Sequence, residues 1–561
     1  MQIIKSVRTL VFLLLPIVSF SQSSYLPLGS KDYKLLDRLE IKTGNSNLNY
    51  STIKPYNRRL VTAEVEAIDS MDAAGDSASF NLTKIDKYNI QSFLMNNSEW
   101  SKPRESYNSK KPIFNTFYKT KGNLYEVNTK DFFLAVNPAI QYQQMFEKGN
   151  SQKLFYNSRG LSFRGMISRK VAFDFYLTDN QERDPLYVQE WIRTHAAVPG
   201  ARFYKDFKAI GGVDYFDGRG SVSFNASKYI DIQFGYDKNF IGDGYRSLFL
   251  SDFSGNALFL KINTRIWKFN YENLFMELIP DGRRVMGDEL LARKYFRMNY
   301  LSINATKWLN VGIFDAVMFG RKDHFDFQYL NPVLFLRSAE SDIGSKDNAV
   351  VGLNVKANIK KKVQVYGQLL LDEFKLNEMV KNRGFWANKF GYQVGVKYPD
   401  AFGIPNLDLQ LESNRVRPFT YSHFDSLSDY THFHQPFAHP LGANFQERIA
   451  IVKYQPVHNL YLQAKFIYYY QGLDLFGINY GSNIFTSYTT RDKNYGYYVG
   501  DGDKVKSLNT SFLASYEVKE NLFIDANLQH RTYKVASGAD SPTTVFSLGF
   551  RWNMSRREFD F

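Results

Sequence analysis

A short turn followed at once by a strictly alternating run of apolar and polar residues recurs six times in this chain. These turns are lysine-rich or asparagine-rich, and they end at Lys170, Lys228, Lys307, Lys362, Asn459 and Asn521. Alternation with a period of two gives a strand one apolar and one polar face, as antiparallel strands with one wetted side require. A soluble sandwich alternates in the same way, so this pattern by itself does not predict a membrane protein.

The spacing of the turns indicates the architecture. Two wide gaps contain turns of weaker signature, one near Asn263-Thr264-Arg265 and one from Tyr398 to Pro405. Short turns thus alternate with long polar or aromatic loops, which is typical of outer-membrane barrels with short periplasmic turns and long extracellular loops. The longest loops are expected at about 181–215, 319–348, 415–444 and 471–506.

We therefore predict an all-β transmembrane barrel of about 18 antiparallel strands, an even number within the range of such barrels. The first strand is expected at 131–146 and the last at 545–552. In the last strand, Phe546, Leu548 and Phe550 fall on one face, and Ser547 and Gly549 fall on the other.

The first residues have the composition of a secretory signal peptide. Lys5 and Arg8 precede a short apolar run, and Ser19-Phe20-Ser21 forms a small-residue cleavage site. The apolar run is well short of the ~20 residues that a membrane-spanning helix needs. We predict residues 1–21 as signal peptide, 22–129 as a mainly helical periplasmic region, and 130–561 as the barrel.

Residues 22–129 have helical patterns in place of strand alternation. A stripe of Leu35, Leu36, Leu39 and Ile41 follows Ser30, a plausible N-cap. The segment 51–59 introduces a second helical stretch, and a third is expected at 81–94, before a hairpin around 120–123. A region this short and helical is unlike the plug of a TonB-dependent receptor.

The composition limits the partners. The formal net charge is +14, and removal of Lys5 and Arg8 with the signal peptide leaves 14 − 2 = +12. In a barrel this charge belongs in the lumen, turns and loops, where it favours lipopolysaccharide, acidic polysaccharide or anionic protein surfaces. Nucleic acid is the wrong partner for an exported chain. Aromatic residues make up 16% of the chain, enough for two girdles at the membrane interfaces.

Two segments carry a resemblance to a known family. Residues 235–252, G-Y-D-K-N-F-I-G-D-G-Y-R-S-L-F-L-S-D, are similar to a segment that closes a strand and enters an outer loop in the outer-membrane capsule-assembly family known as Wzi. The order of signal peptide, Y-L-P-L-G-S-K-D-Y opening, small helical region and about 18 strands also resembles Wzi. The chain as a whole, with the H-P-L-G-A-N-F-Q-E stretch at 439–447, resembles the Bacteroidetes gliding-motility branch called RemB. The resemblance implies a barrel without enzymatic activity or cofactor, associated with surface polysaccharide or with the gliding and type 9 secretion apparatus.

The same segment 235–252 supplies the candidate ligand-binding residues. Glycines allow a tightly folded loop, and lysine and arginine donate to carboxylate or phosphate groups. The candidates are Asp237, Lys238, Asp243 and Arg246, with Arg321 and Lys322 of another outer loop as an extension of the patch. The alternative is a structural network in which Asp237 pairs with Lys238 and Asp243 pairs with Arg246. For Arg321 and Lys322, the favoured alternative is a solvated loop tip.

Histidines cluster at His423, His432, His434 and His439. Three of them, His432, His434 and His439, are a weak candidate for a zinc site, and packing with backbone hydrogen bonds is the alternative. No H-E-x-x-H or G-x-S-x-G motif occurs, so no catalytic residue is expected. The leading hypothesis is a non-enzymatic barrel that binds surface polysaccharide or a motility or secretion component. The competing hypothesis is a diffusion channel or transporter.

Overall fold

The computed structural model describes residues 23–75, 80–209, 211–280, 291–321, 324–332, 335–344 and 347–561. The predicted signal peptide and Lys322 lie outside these ranges. Among the described residues, no helix is both long and apolar enough to cross a membrane.

Eighteen strands form a closed antiparallel barrel, as the sequence predicts. They are β1 Phe132–Glu147, β2 Leu154–Ile167, β3 Val171–Arg183, β4 Gly212–Ser227, β5 Ile230–Asp237, β6 Ala257–Ile266, β7 Phe269–Leu278, β8 Lys294–Asn304, β9 Leu309–Phe319, β10 Asn348–Ile359, β11 Val363–Glu373, β12 Lys389–Tyr398, β13 Leu407–Val416, β14 Phe445–Val457, β15 Leu460–Leu473, β16 Asp503–Lys519, β17 Leu522–Val535 and β18 Thr543–Trp552. Each strand pairs with its neighbours in sequence. β18 closes the barrel on β1, with Val545 opposite Glu147 and Trp552 opposite Ile140.

One predicted turn is wrong. Asn263, Thr264 and Arg265 lie within β6, which stays paired with β7 up to Ile266 opposite Phe269. The turn is formed by Trp267 and Lys268. Asn263 and Arg265 are polar because they face the lumen, where the Arg265 guanidinium donates to the carbonyl of Asn47. Polar residues that face the lumen at the end of a strand therefore resemble a turn in sequence.

The outer surface of the barrel is apolar. On β18, Phe546, Leu548 and Phe550 are 44%, 49% and 41% exposed, whereas Val545 and Ser547 on the opposite face are buried. A closed barrel leaves no unpaired strand edge, and its outward-facing apolar side chains are compatible with the lipid of a membrane. This fold places the chain in the outer membrane as a transmembrane barrel.

Three helices precede the barrel: α1 Asp32–Thr43, α2 Arg58–Ala73 and α3 Lys84–Asn96. The predicted stripe is buried on α1, although the helix begins after Lys31 and Ser30 does not cap it. α3 begins with a capping box between Thr83 and Asp86. A short strand, Tyr125–Asn128, then pairs with β1.

The helical region packs into the barrel at the end with the short turns. Lys31 pairs with Glu517 of β16 at 2.6 Å, and Glu40 pairs with Lys356 of β10 at 2.9 Å. On the opposite wall, the backbone carbonyl of Ser23 accepts from Ser223 of β4. Because these contacts reach strands on different sides of the barrel, the described part of residues 23–96 fills the lumen at this end.

The loops have three further helices: α4 Leu186–His195, α5 Leu336–Ile343 and α6 Leu376–Lys381. The loop between β5 and β6 folds into the lumen. Its residues Phe240 and Ile241 pair with Lys54 and Ile53 of the helical region. The helical region thus fills the lumen from one end and the β5–β6 loop fills it from the other, and the two segments are in contact.

Candidate functional site: a cavity in the barrel lumen

The inward loop, residues 238–256, contains the most specific sequence motif of the chain. Gly244 lies so close to its neighbours that a Cβ atom there would be 2.5 Å from Glu412 Oε2. The backbone amides of Tyr245 and Arg246 donate to the same Glu412 carboxylate at 2.7 and 3.1 Å. The sequence predicts a tightly folded loop from its glycines, and the tight turn at Gly244 brings the loop to the Glu412 carboxylate on β13.

Arg246 is the centre of a buried charge network. Its guanidinium lies 3.3 Å from Glu447 of β14 and 3.0 Å from Asp560. His439 Nε2 contacts the other Glu447 oxygen at 2.8 Å, and Lys465 of β15 pairs with Asp560. Burial alone would lower the pKa of Arg246, but the carboxylates of Asp560 and Glu447 hold it above its ordinary value.

Asp243 belongs to a second network, so the expected pairing of Asp243 with Arg246 is wrong. Its carboxylate lies 3.1 Å from Lys356 and accepts from Thr52 and Asn354. Burial alone would raise the pKa of Asp243, but Lys356 and Lys54 lower it below its ordinary value. The inward loop therefore turns Asp243 toward the helical region and Arg246 toward β14.

The expected side-chain pair of Asp237 and Lys238 is also replaced by other contacts. The Asp237 carboxylate accepts from the Lys238 backbone amide at 2.8 Å and lies 3.9 Å from Arg219. The Lys238 ammonium donates to the carbonyl of Asp252 at 2.9 Å. Among the described residues, no carboxylate lies within 4.0 Å of this ammonium. Burial lowers the pKa of Lys238 to about 8.

The segment after β18, residues 553–561, turns back into the lumen. Ser555 donates to the carbonyl of Leu28 at 2.8 Å, and Arg557 pairs with Glu182 of β3. The carbonyl of Phe559 accepts from Tyr187 of α4 at 2.6 Å. The strand pattern does not predict this segment or the role of its charged residues. The sequence signal for this segment is the charged run Arg556-Arg557-Glu558, which follows closely after the last alternating strand.

A cavity of about 330 Å³ remains between the inward loop, the segment after β18 and the barrel wall. Tyr156, Tyr176 and Tyr215 line it on the wall, and Lys238 and Arg246 line it on the inward loop. Its volume lies within the ~300–1,000 Å³ of typical ligand sites. Of the predicted ligand-binding residues, the structure thus brings Lys238 and Arg246 to one cavity.

The cavity also has cations that are already neutralised. Arg219 lies 3.3 Å from Asp217 and covers the ring of Tyr176 at 4.3 Å. Arg557 is paired with Glu182. Lys238 differs from these, because the only hydrogen bond of its ammonium in the described structure is to a carbonyl.

Arg321 lies in a different part of the molecule. Its guanidinium pairs with Asp347 at 2.7 Å and with Asp326 at 2.9 Å, both in the loop between β9 and β10. These partners place Arg321 at the outer end of β9, and its neighbour Lys322 is outside the described residues.

The histidines make packing and backbone contacts. His432 accepts from the amide of Ile279 at 3.1 Å and donates to the carbonyl of Asn256 at 3.0 Å. His434 donates to the carbonyl of His195 at 3.1 Å, and His439 contacts Glu447. In the described ranges, no group of three or more His, Cys, Asp or Glu side chains is arranged to hold a metal ion.

Comparison with known proteins gives a structural likeness without a family match. No family model and no curated protein matches the chain. The structure of Wzi from Escherichia coli, described as an outer-membrane protein involved in group 1 capsule assembly and as a carbohydrate-binding β-barrel, aligns with a TM-score of 0.54 and 13% identity. The alignment covers 95% of this chain and 100% of Wzi. The expected Wzi-like fold is confirmed.

Outer-membrane proteins of other kinds align less well. OprD of Pseudomonas aeruginosa has a TM-score of 0.41 and 12% identity over 75% of this chain and 94% of its own. OccAB2 of Acinetobacter baumannii also scores 0.41, with 10% identity over 74% of this chain and 98% of its own. Scores this low carry no weight for the function.

Proposed function

We propose that this protein is a non-enzymatic outer-membrane barrel that binds an acidic surface polysaccharide in the lumenal cavity beneath its outer loops. The observation that carries the proposal is the Lys238 ammonium, which faces the cavity without a carboxylate partner among the described residues. A carboxylate of an acidic sugar would complete its coordination with a charge-assisted hydrogen bond.

The other walls of the cavity suit a saccharide. Tyr156, Tyr176 and Tyr215 provide aromatic surface and hydroxyl groups. Sugars combine apolar ring faces with many hydroxyls, so aromatic rings beside hydrogen-bonding side chains fit them. The carbohydrate binding and capsule assembly described for Wzi, whose fold this chain shares, agree with this substrate class.

The filling of the lumen disfavours the diffusion channel. The helical region, the inward loop and residues 553–561 all occupy the lumen through buried ion pairs. An open channel would require several of these pairs to break and the segments that carry them to leave the lumen. A binding protein needs no such opening.

Titration of the purified barrel with polygalacturonate oligosaccharides tests the proposal, with neutral dextran oligosaccharides as the control ligand. We expect the acidic ligand to bind, and Lys238→Ala to weaken that binding roughly 10- to 100-fold, which corresponds to about 1.5–3 kcal/mol for one charge-assisted hydrogen bond. Lys208→Ala is the matched control, because Lys208 is exposed on the neighbouring β3–β4 loop and does not line the cavity.

Three results would contradict the proposal. Equal binding by the Lys238→Ala and Lys208→Ala variants would exclude the cavity. Steady ohmic conductance of the full chain in planar bilayers would instead support the channel. Recovery of a gliding or secretion protein after cross-linking, together with no saccharide binding, would support the motility or secretion role that the resemblance to RemB implies.

A further inference from the structure

A row of polar side chains crosses three adjacent strands on the outside of the barrel. Asn273 of β7 is opposite Asn299 of β8, which is in turn opposite Asp315 of β9. Arg297 is two residues from Asn299 on β8, and its guanidinium lies 4.1 Å from the ring of Phe275 on the same outer face. The alternate residues of these strands, such as Met298, pack in the lumenal core.

This row lies near the middle of its three strands. β7, β8 and β9 have 10, 11 and 11 residues, close to the ~9–11 that a strand needs to span the hydrocarbon core. Polar and charged groups that face lipid at this depth destabilise a barrel. Nevertheless, Arg297 and Asn299 are completely buried, and Asp315 is 1% exposed. Protein therefore covers the row.

The cover is a segment of the β9–β10 loop, residues 325–332 and 335–336, which we name the strap. Arg297 donates to the carbonyls of Tyr329 and Asn331 at 3.0 and 3.2 Å. The amide of Leu336, at the start of α5, donates to Asp315 Oδ2 at 2.7 Å. Tyr271 of β7 donates to the carbonyl of Pro332. These contacts hold the strap against the outer wall of the barrel.

The surface of the strap that faces away from the barrel is largely apolar. Phe327, Leu330 and Phe335 are 78%, 44% and 61% exposed, whereas Tyr329 and Leu336 are buried against the wall. The exposed apolar surface continues onto the strands, where Ile313 and Leu353 are 40% and 41% exposed. Within a membrane, this continuous apolar surface of the strap and the strands is compatible with contact to lipid acyl chains.

We propose that the strap is embedded in the outer leaflet, with its polar backbone on the row and its apolar side chains against lipid acyl chains. A loop that lies between the wall and the lipid provides hydrogen-bond partners for Arg297 and for Asp315 Oδ2, which lipid cannot do. The strap is then unavailable to extracellular polysaccharide. This inference stands apart from the proposed function, since it uses no residue of the lumenal cavity.

Single cysteines test the proposal directly, because the natural chain has none. Phe327→Cys and Phe335→Cys are compared with Ser426→Cys, an exposed position on the β13–β14 loop. On intact cells, a membrane-impermeant maleimide should label the two strap positions about tenfold more slowly than position 426, because labelling has to wait for local opening. Labelling at the rate of position 426 would overturn the proposal.

A second measurement identifies lipid as the partner. A bimane label at position 327 should be quenched by lipids brominated on their acyl chains, whereas the same label at position 426 should not. Adding Asp315→Ala to Phe335→Cys removes the acceptor for the Leu336 amide and should raise labelling toward the control rate. Heat-modifiable gel migration verifies that each variant is folded. Absence of quenching, or no effect of Asp315→Ala, would contradict the proposed placement.

Discussion

Arg246 of the inward loop and Glu447 of β14 form a buried ion pair with 3.3 Å between Nη2 and Oε1. The two residues come from the two segments, 235–252 and 439–447, that are the most distinctive parts of the sequence. His439, at the start of the second segment, contacts the same carboxylate. The two motifs therefore build one structural unit, which closes the lumen next to the cavity that contains Lys238.

We expect Arg246→Met to destabilise the barrel by about 3–5 kcal/mol, because Glu447 and Asp560 lose their shared cation and stay buried. The melting temperature of the detergent-solubilised protein measures the effect. Adding Glu447→Gln should recover part of the loss, since it removes one of the uncompensated charges. A double variant as unstable as the sum of the two single variants would show that the pair is not coupled.

The helical region should depend on Arg38 for its attachment to the barrel. Arg38 contacts Asp86 of α3 at 2.8 Å, Asp400 at 2.9 Å and Asp408 of β13. Arg38→Met leaves buried carboxylates without this cation, so residues 23–128 should be cleaved faster by added protease while the barrel remains heat-modifiable. Lys87→Met is the control, because Lys87 is 48% exposed in its pair with Asp72. Equal cleavage of both variants would contradict the role of Arg38.

The short turns should face the periplasm. Single cysteines at 169, 228, 307, 361 and 519 should resist an impermeant maleimide on intact cells and react after the outer membrane is permeabilised. Cysteines at Ser426 and Asn494, both exposed on long loops, should react on intact cells. Labelling of the short turns from outside would mean that the barrel has the opposite orientation.

Acid should loosen the loop between β13 and β14. Burial lowers the pKa of His432 to about 4, against an ordinary value of ~6.5. The neutral imidazole is thus favoured in the folded state, so its contribution is complete above pH ~6.5 and is lost as the pH falls toward 4. At pH 5 the loss is about 2 kcal/mol.

Hydrogen–deuterium exchange of residues 417–444 at pH 7 and 5, corrected for the intrinsic rate, measures this effect. We expect faster exchange at pH 5, and a smaller difference in His432→Gln, whose amide does not titrate. The same difference in both proteins would exclude His432 as the cause.

Much of the barrel could be predicted from sequence because its signals are local. Alternation in β18 separates the lipid-facing Phe546 and Leu548 from the lumenal Ser547 within a few residues. The predicted first strand differs by one residue at each end from the observed Phe132–Glu147. The predicted turn at Asn263 failed where polar residues face a filled lumen, because alternation does not report what fills the interior.

The sequence by itself determined the barrel, its short turns and long loops, and the unusual composition of the inward loop, since strand periodicity and turn residues act over a few positions. Only the tertiary structure decided the partners of the buried charges. Arg246 pairs with a residue 201 positions away, and Asp315 with an amide of a loop folded over the outer wall. Such pairs exist only after the barrel closes, because closure sets which strands lie side by side and which loop can reach each buried charge.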